Sequence, residues 1–123
     1  MSVTILASQY TQFQNSFGQG EAQNYAEAAG LLFSHDFKKI ANGQEQVSNL
    51  TMLLPQLETV KGFAGNWTIK NQETIPSQDN TKCTIKYSLD SQKAGRFEAI
   101  AILTIADNKI KEIDEIFYQC ASL

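Results

Sequence analysis

The hydrophobic period of this chain changes once. Before Gly65 the apolar residues recur every three or four positions, and from Trp67 onward every two. Such a pattern puts helices first and a run of consecutive strands after them. That is an α+β order, with helices gathered on one side of an antiparallel sheet. Val3, Leu6, Tyr10, Phe13 and Phe17 form the stripe of a first amphipathic helix, which Gly18 and Gly20 break. A second, shorter helix is expected to present Ala22, Tyr25, Ala26 and Ala29 on one side. Leu31, Leu32 and Phe33 should then close the segment against the core. Ser34 to Ile40 reads as a short strand and Asn42-Gly43 as a turn. Val47, Leu50, Leu54 and Leu57 give a third helical stripe, in which Pro55 predicts a kink or a restart.

The second half reads as four long strands in a meander. The first begins at Trp67 and ends at the turn formers Pro76 to Asn80. The second sets Cys83, Ile85, Tyr87 and Leu89 against a polar face. The third, Arg96 to Ala106, is apolar on both faces. Asp107-Asn108 predicts a tight hairpin of primed type, because both residues tolerate positive φ. The last strand runs from Lys109 to about Tyr118.

At 123 residues this is one domain, 1–123, able to bury a core without a metal or disulfide staple. Ten Lys and Arg against thirteen Asp and Glu leave a net charge of −3. That excludes a generally basic surface of the kind that holds nucleic acid or anionic lipid. No stretch has the length and apolarity to span a bilayer, and the amino terminus lacks the basic leader of a secretory signal. Cys83 and Cys120 with a single His35 are too few for a zinc site. They read as free thiols in a reducing cytoplasm, with a Cys83–Cys120 disulfide as the alternative if their strands are neighbours. No phosphate loop, dinucleotide fingerprint or nucleophile motif is present, so no metal or cofactor is implied.

Two features point toward a site. The last strand mixes carboxylates with apolar residues on both faces: Ile113, Glu115 and Phe117 on one, Ile110, Glu112, Asp114, Ile116 and Tyr118 on the other. Whichever face is covered, a carboxylate lies among apolar neighbours, where it needs a raised pKa or a hydrogen-bonding partner. The third strand carries Ile100 and Ile102 opposite its core face. With Ile110, Ile116 and Tyr118 they predict an exposed apolar patch and a homodimer packed sheet to sheet. His35, the only histidine, is the default candidate for a general base. Lys38-Lys39 reads as a solvated face.

The order of elements, with the segments GEAQNYAEAAGLLFSHDF, NGQEQVSNLTMLL and AILTIADNKIKEIDEIFYQ, resembles the NTF2-like superfamily in its SnoaL-like, ketosteroid-isomerase-like branch. The resemblance runs from about Leu6 to Tyr118. It implies a cone in which three amino-terminal helices pack on a curved antiparallel sheet, with a pocket at the wide end and frequent dimers through the sheet's outer face. In ketosteroid isomerases a first-helix tyrosine, a first-strand aspartate and an aspartate on the third long strand do the chemistry. The matching positions here hold Phe13, Lys39 or Ile40, and Ala101, so the resemblance argues against that isomerisation. It turns Glu115 inward and Asp114 outward, and makes Phe13, Phe33, Trp67, Tyr87 and Ala101 pocket lining beside Glu115. The fold hosts many activities, so function must come from the site. The first expectation is a binder of a small, mostly apolar molecule. The alternatives are a lyase or isomerase using Glu115 with Tyr87 or His35 for proton transfer, and a protein-interaction module.

Overall fold

The computed structural model describes residues 2–120. Helices α1 (Val3–Gly18) and α2 (Tyr25–Leu32) lead into β1 (Phe33–Ala41) and β2 (Gln44–Val47). A single 3-10 turn, Leu50–Met52, precedes α3 (Leu53–Ala64). Strands β3 (Trp67–Pro76), β4 (Lys82–Ser91), β5 (Gly95–Ala106) and β6 (Lys109–Gln119) follow. The six strands form one curved sheet in the order β2-β1-β6-β5-β4-β3, antiparallel except where β1 runs parallel to β6. No helix among the described residues is long and apolar enough to cross a membrane.

The stripe of α1 is buried along its whole length, from Val3 to Phe17, and Ser2 caps its first turn through Oγ to the Thr4 amide. The helix ends pressed against β3. A Cβ on Gly18 would lie 2.5 Å from the Trp67 carbonyl oxygen, so only glycine fits there. Asn15 pairs with both backbone groups of Ile69, and Gln19 donates to the Trp67 carbonyl. These side chains cover the first residues of the open edge of β3, which would otherwise be free to pair with another chain. Lys61 of α3 donates to the last carbonyls of α1, Phe17 and Gly18, at 2.7 and 2.6 Å, where a cation suits the helix dipole.

Several expectations are corrected. α2 starts at Tyr25, so Ala22 lies outside it; of the alanine face only Ala29 is buried, and Leu31 is exposed. Val47 ends β2 rather than starting a helix. Asn42 and Gly43, at φ 50° and 80°, turn β1 directly into that short strand. The helical run restarts at Leu53 after the 3-10 turn, which puts Pro55 in the first turn of α3, where its missing N–H has no intrahelical partner to lose. Asp107 and Asn108 have φ of 52° and 60°, as the primed hairpin requires.

Ile110 does not join the outer patch. Thr104 pairs with Glu112 but Ile105 pairs with Ile110, so Lys111 is an extra residue in β6. The bulge reverses the alternation and puts Ile110 in the core opposite Phe33 of β1. Ile100, Ile102, Ile116 and Tyr118 are exposed on the outer face, Ile116 to 70%. Both cysteines are free thiols. Cys83 pairs with Leu103 and Cys120 bonds to Arg96, seven residues apart on β5. That separation is roughly 24 Å at ~3.4 Å per residue, far beyond the ~7 Å limit for a disulfide.

Candidate functional site

Between α1, α3 and the concave face of the sheet lies a hollow of about 360 Å³. Its walls are apolar: Leu57 and Ala64 from α3, Trp67 and Ile69 from β3, and Ala99 from β5. The exposed Gln44, Gln46 and Phe63 mark the mouth. The inner end is polar, where Tyr10 and Gln14 of α1 meet Lys39 of β1, Tyr87 of β4 and Glu115 of β6.

The sheet register explains how these groups meet. Glu115 stands opposite Ala101 on β5, and Ala99 stands opposite Tyr87 on β4. Two adjacent inward positions on β5 therefore carry only a methyl group. The Tyr87 side chain crosses over β5 through that gap, and its hydroxyl donates to Glu115 Oε1. Glu115 Oε2 lies 3.9 Å from Lys39 Nζ, with the two side chains 7% and 11% exposed. Gln14 Nε2 donates to the Tyr10 hydroxyl at 3.0 Å, and that hydroxyl also lies against the Lys39 ammonium. The lone carboxylate among apolar neighbours thus has partners on two other strands.

Burial and charge act together on these groups. Burial pushes the Tyr87 phenol well above its ordinary value, and the Glu115 carboxylate adds to the rise. Burial also raises Tyr10, with Lys39 opposing. For Lys39 burial works against the charge, but the Tyr10 oxygen and the Glu115 carboxylate outweigh it and raise the ammonium's pKa. At neutral pH both phenols are therefore neutral and Lys39 is charged. A carboxylate beside a phenol and an ammonium can accept a proton while the other two stabilise developing negative charge. Among the described residues no group of three His, Cys, Asp or Glu side chains converges to hold a metal ion.

Of the residues singled out in the sequence, Trp67, Tyr87 and Glu115 line the hollow. Phe13 and Phe33 do not. Their rings meet edge to face at 5.5 Å, and Phe33 also meets Tyr10 and Phe37, forming the filled aromatic layer between α1, α2 and β1. Ala101 is fully buried beneath the Tyr87–Glu115 contact and lines nothing. His35 is exposed and sits in a separate cleft with Asp36, Lys109 and Lys111. The regular pairing of β1 with β6 is interrupted between Phe33 and Lys38, where Ser34 Oγ donates to Asp36, so His35 turns away from the hollow.

Tyr10 and Lys39 were not identified as site residues by sequence reasoning. Tyr10 belongs to an apolar stripe and reads as core, yet its hydroxyl reaches the hollow one turn before Phe13. The resemblance matched the isomerases' first-helix tyrosine to Phe13, but the hydroxyl at the hollow belongs to Tyr10. The Lys39 side chain is only 11% exposed rather than solvated; its signal was its place two residues after the buried Phe37, on the inward side of β1.

No protein-family model matches the chain, and no curated protein matches it. Solved structures do. An NTF2-like protein of unknown function from Exiguobacterium sp. 255-15 superposes with a TM-score of 0.76 at 17% identity, over 94% of this chain and 99% of that one. A candidate SnoaL-like polyketide cyclase from Jannaschia sp. CCS1 gives 0.73 at 9% identity, over 93% and 85%. A candidate ketosteroid isomerase from Kribbella flavida gives 0.71 at 13%, over 97% and 79%. The fold that these helices and this sheet define is the NTF2-like α+β cone. Within that class, the structures it is similar to include SnoaL-like and ketosteroid-isomerase-like proteins.

Proposed function

We propose that this protein binds a small, mostly apolar molecule in the hollow of its cone. The observation that carries the reading is a cavity of about 360 Å³ with apolar walls and a few convergent polar groups at its inner end, the usual make-up of a ligand site. Trp67 is the only tryptophan and lines the cavity, so its emission is the direct reporter. Titration with a library of uncharged aromatic and alicyclic compounds should give saturable changes in Trp67 emission and matching rises in melting temperature. A library that produces neither overturns the reading.

The inner end favours a second reading, a lyase or isomerase acting by proton transfer. Glu115 would be the base, with Tyr10 and Lys39 stabilising the oxyanion, and Tyr87 would hold the carboxylate. Glu115→Gln, at retained ligand binding, should abolish any turnover found; unchanged turnover removes this reading. The outer face supports a homodimer through Ile100, Ile102, Ile116 and Tyr118, four exposed apolar side chains on neighbouring strands. Ile102→Glu should shift the mass in light scattering from dimer to monomer. A wild-type monomer at micromolar concentration excludes the dimer, and capture of a different protein by that face would make the domain an interaction module instead. Two free thiols suit a reducing cytoplasm.

A further inference from the structure

The hollow does not stop at its polar groups; it runs from them to solvent along an apolar track. The sheet register fixes that track. At the polar end Glu115 stands opposite Ala101. The next inward row is Tyr87, Ala99 and Phe117, and the one after it is Leu89, Phe97 and Gln119. Gln119 lies four residues beyond Glu115 on β6, about 14 Å at ~3.4 Å per residue. Over this distance the floor is apolar: Ala99, Phe117, Phe97 and Leu89 all line the cavity, and the Phe97 and Phe117 rings meet edge to face at 5.9 Å. The roof is α3. The Ala64 carbonyl accepts from the Lys93 amide at 2.8 Å, so this helix ends level with the turn between β4 and β5, past the row of Leu89 and Phe97. Phe63, beside Ala64, lines the cavity and is still 69% exposed. Among the described residues around the cavity, Lys39 and Glu115 are the only ionic side chains, and both stand at the inner end.

We infer that the hollow takes an unbranched amphiphile, with a small polar head at the inner end and a saturated chain of about ten carbons leaving between Phe63 and the Phe97–Phe117 pair. Phe63 is then the residue that reads chain length. This rests on the ligand-binding reading above and adds to it the shape of the ligand. A C–C bond of about 1.5 Å advances an extended chain by about 1.25 Å, so ten carbons span about 12 Å and reach the outer row. Six carbons span about 7 Å, stop at the row of Phe117 and leave Phe63 in water. A fused bicycle of equal carbon count also stops short, because its carbons spread sideways. Only the extended chain covers the exposed ring, and the apolar area it removes from water is what favours it.

The full chain is titrated with 1-hexanol, 1-octanol, 1-decanol and 1-dodecanol, and with decahydro-2-naphthol, which has decanol's carbon count in a fused bicycle. A hydroxyl both gives and takes a hydrogen bond, so the series varies only in its apolar part. Trp67 emission and calorimetry are the readouts. Affinity should rise about three- to fourfold per methylene as far as decanol and flatten at dodecanol. Decanol should bind at least about tenfold tighter than the bicycle. Phe63→Ala, a change at an exposed position, should leave hexanol's affinity in place and weaken decanol about five- to tenfold. An affinity that stops rising at hexanol, a bicycle that matches decanol, or a Phe63→Ala loss shared equally by hexanol and decanol overturns the inference and leaves the ligand-binding reading standing. So does a fall in light-scattering mass on Phe63→Ala with the chain series unchanged, which would assign the rim to a second copy of the chain. Absence of any response to all five probes removes the ligand-binding reading, and the inference with it.

Discussion

Ala101 is the residue whose substitution most directly tests how the inner end is assembled. It lies fully buried between Ile85 of β4 and Glu115 of β6, and its methyl leaves the gap through which Tyr87 reaches the carboxylate. Ala101→Val adds two carbons there. Overpacking a filled core costs about 1–3 kcal/mol. If the added carbons also part Tyr87 from Glu115, a hydrogen bond to a charged group is lost, worth about 1.5–3 kcal/mol. The total is roughly 2.5–6 kcal/mol by the same principles, reaching the lower end of the stability of a typical domain. The two contributions separate in a double-mutant cycle with Tyr87→Phe, which removes the hydroxyl and nothing else. In the Tyr87→Phe background the bond is already gone, so Ala101→Val should cost only its packing share. Urea denaturation of the four proteins should show a coupling of about 1.5–3 kcal/mol. Additivity to within about 0.5 kcal/mol would refute the claim that the two alanines make room for the Tyr87–Glu115 contact.

Stability should fall at alkaline pH. Tyr10, Tyr87 and Lys39 all have folded-state pKa values raised above those of the unfolded chain, so each contributes stability that is complete below about pH 10 and is lost as pH rises further. The buried Cys83 thiol, raised by burial, adds a smaller loss beginning about one unit lower. With each untitrated group contributing about 1.4 kcal/mol per pH unit, urea midpoints should be flat from pH 7 to 8 and drop steeply above 10. A Tyr87→Phe midpoint falling as steeply as wild type would contradict that assignment. Gly18→Ala should destabilise although alanine is the better helix former by about 1 kcal/mol. Its Cβ meets the Trp67 carbonyl, so α1 must retreat from β3 and weaken the Trp67 Nε1–Gln14 bond at 3.1 Å. The expected net cost is about 2–4 kcal/mol with a shifted Trp67 emission; a stabilised variant would show that the approach is not tight.

Most of the fold was legible because its signals are local. The α1 stripe, the change of period at Trp67 and the Asp107-Asn108 turn each lie within a dozen or so residues and each folds as patterned. The misreadings arose where a single residue changes a parity or a partner. Val47 fits a helical spacing with Leu50, but the tight Asn42-Gly43 turn claims it for a strand. Ile110 fits the outer face until one bulged lysine reverses the alternation.

The site was less legible for a different reason. Lys39, Tyr87 and Glu115 come from three strands, and their meeting depends on register and on two alanines of a fourth. Periodicity treats a polar residue inside an apolar stripe as an exception to be overlooked. Gln14 interrupts the buried face of α1, Glu115 the buried face of β6, and Lys39 the inward side of β1, and these are the residues that surround the cavity's inner end. A fold that encloses a polar-ended hollow must place polar groups on core-facing positions of several elements, each a local violation that only the others can satisfy. The exceptions to the pattern therefore belong together, even though no single one reveals its partner.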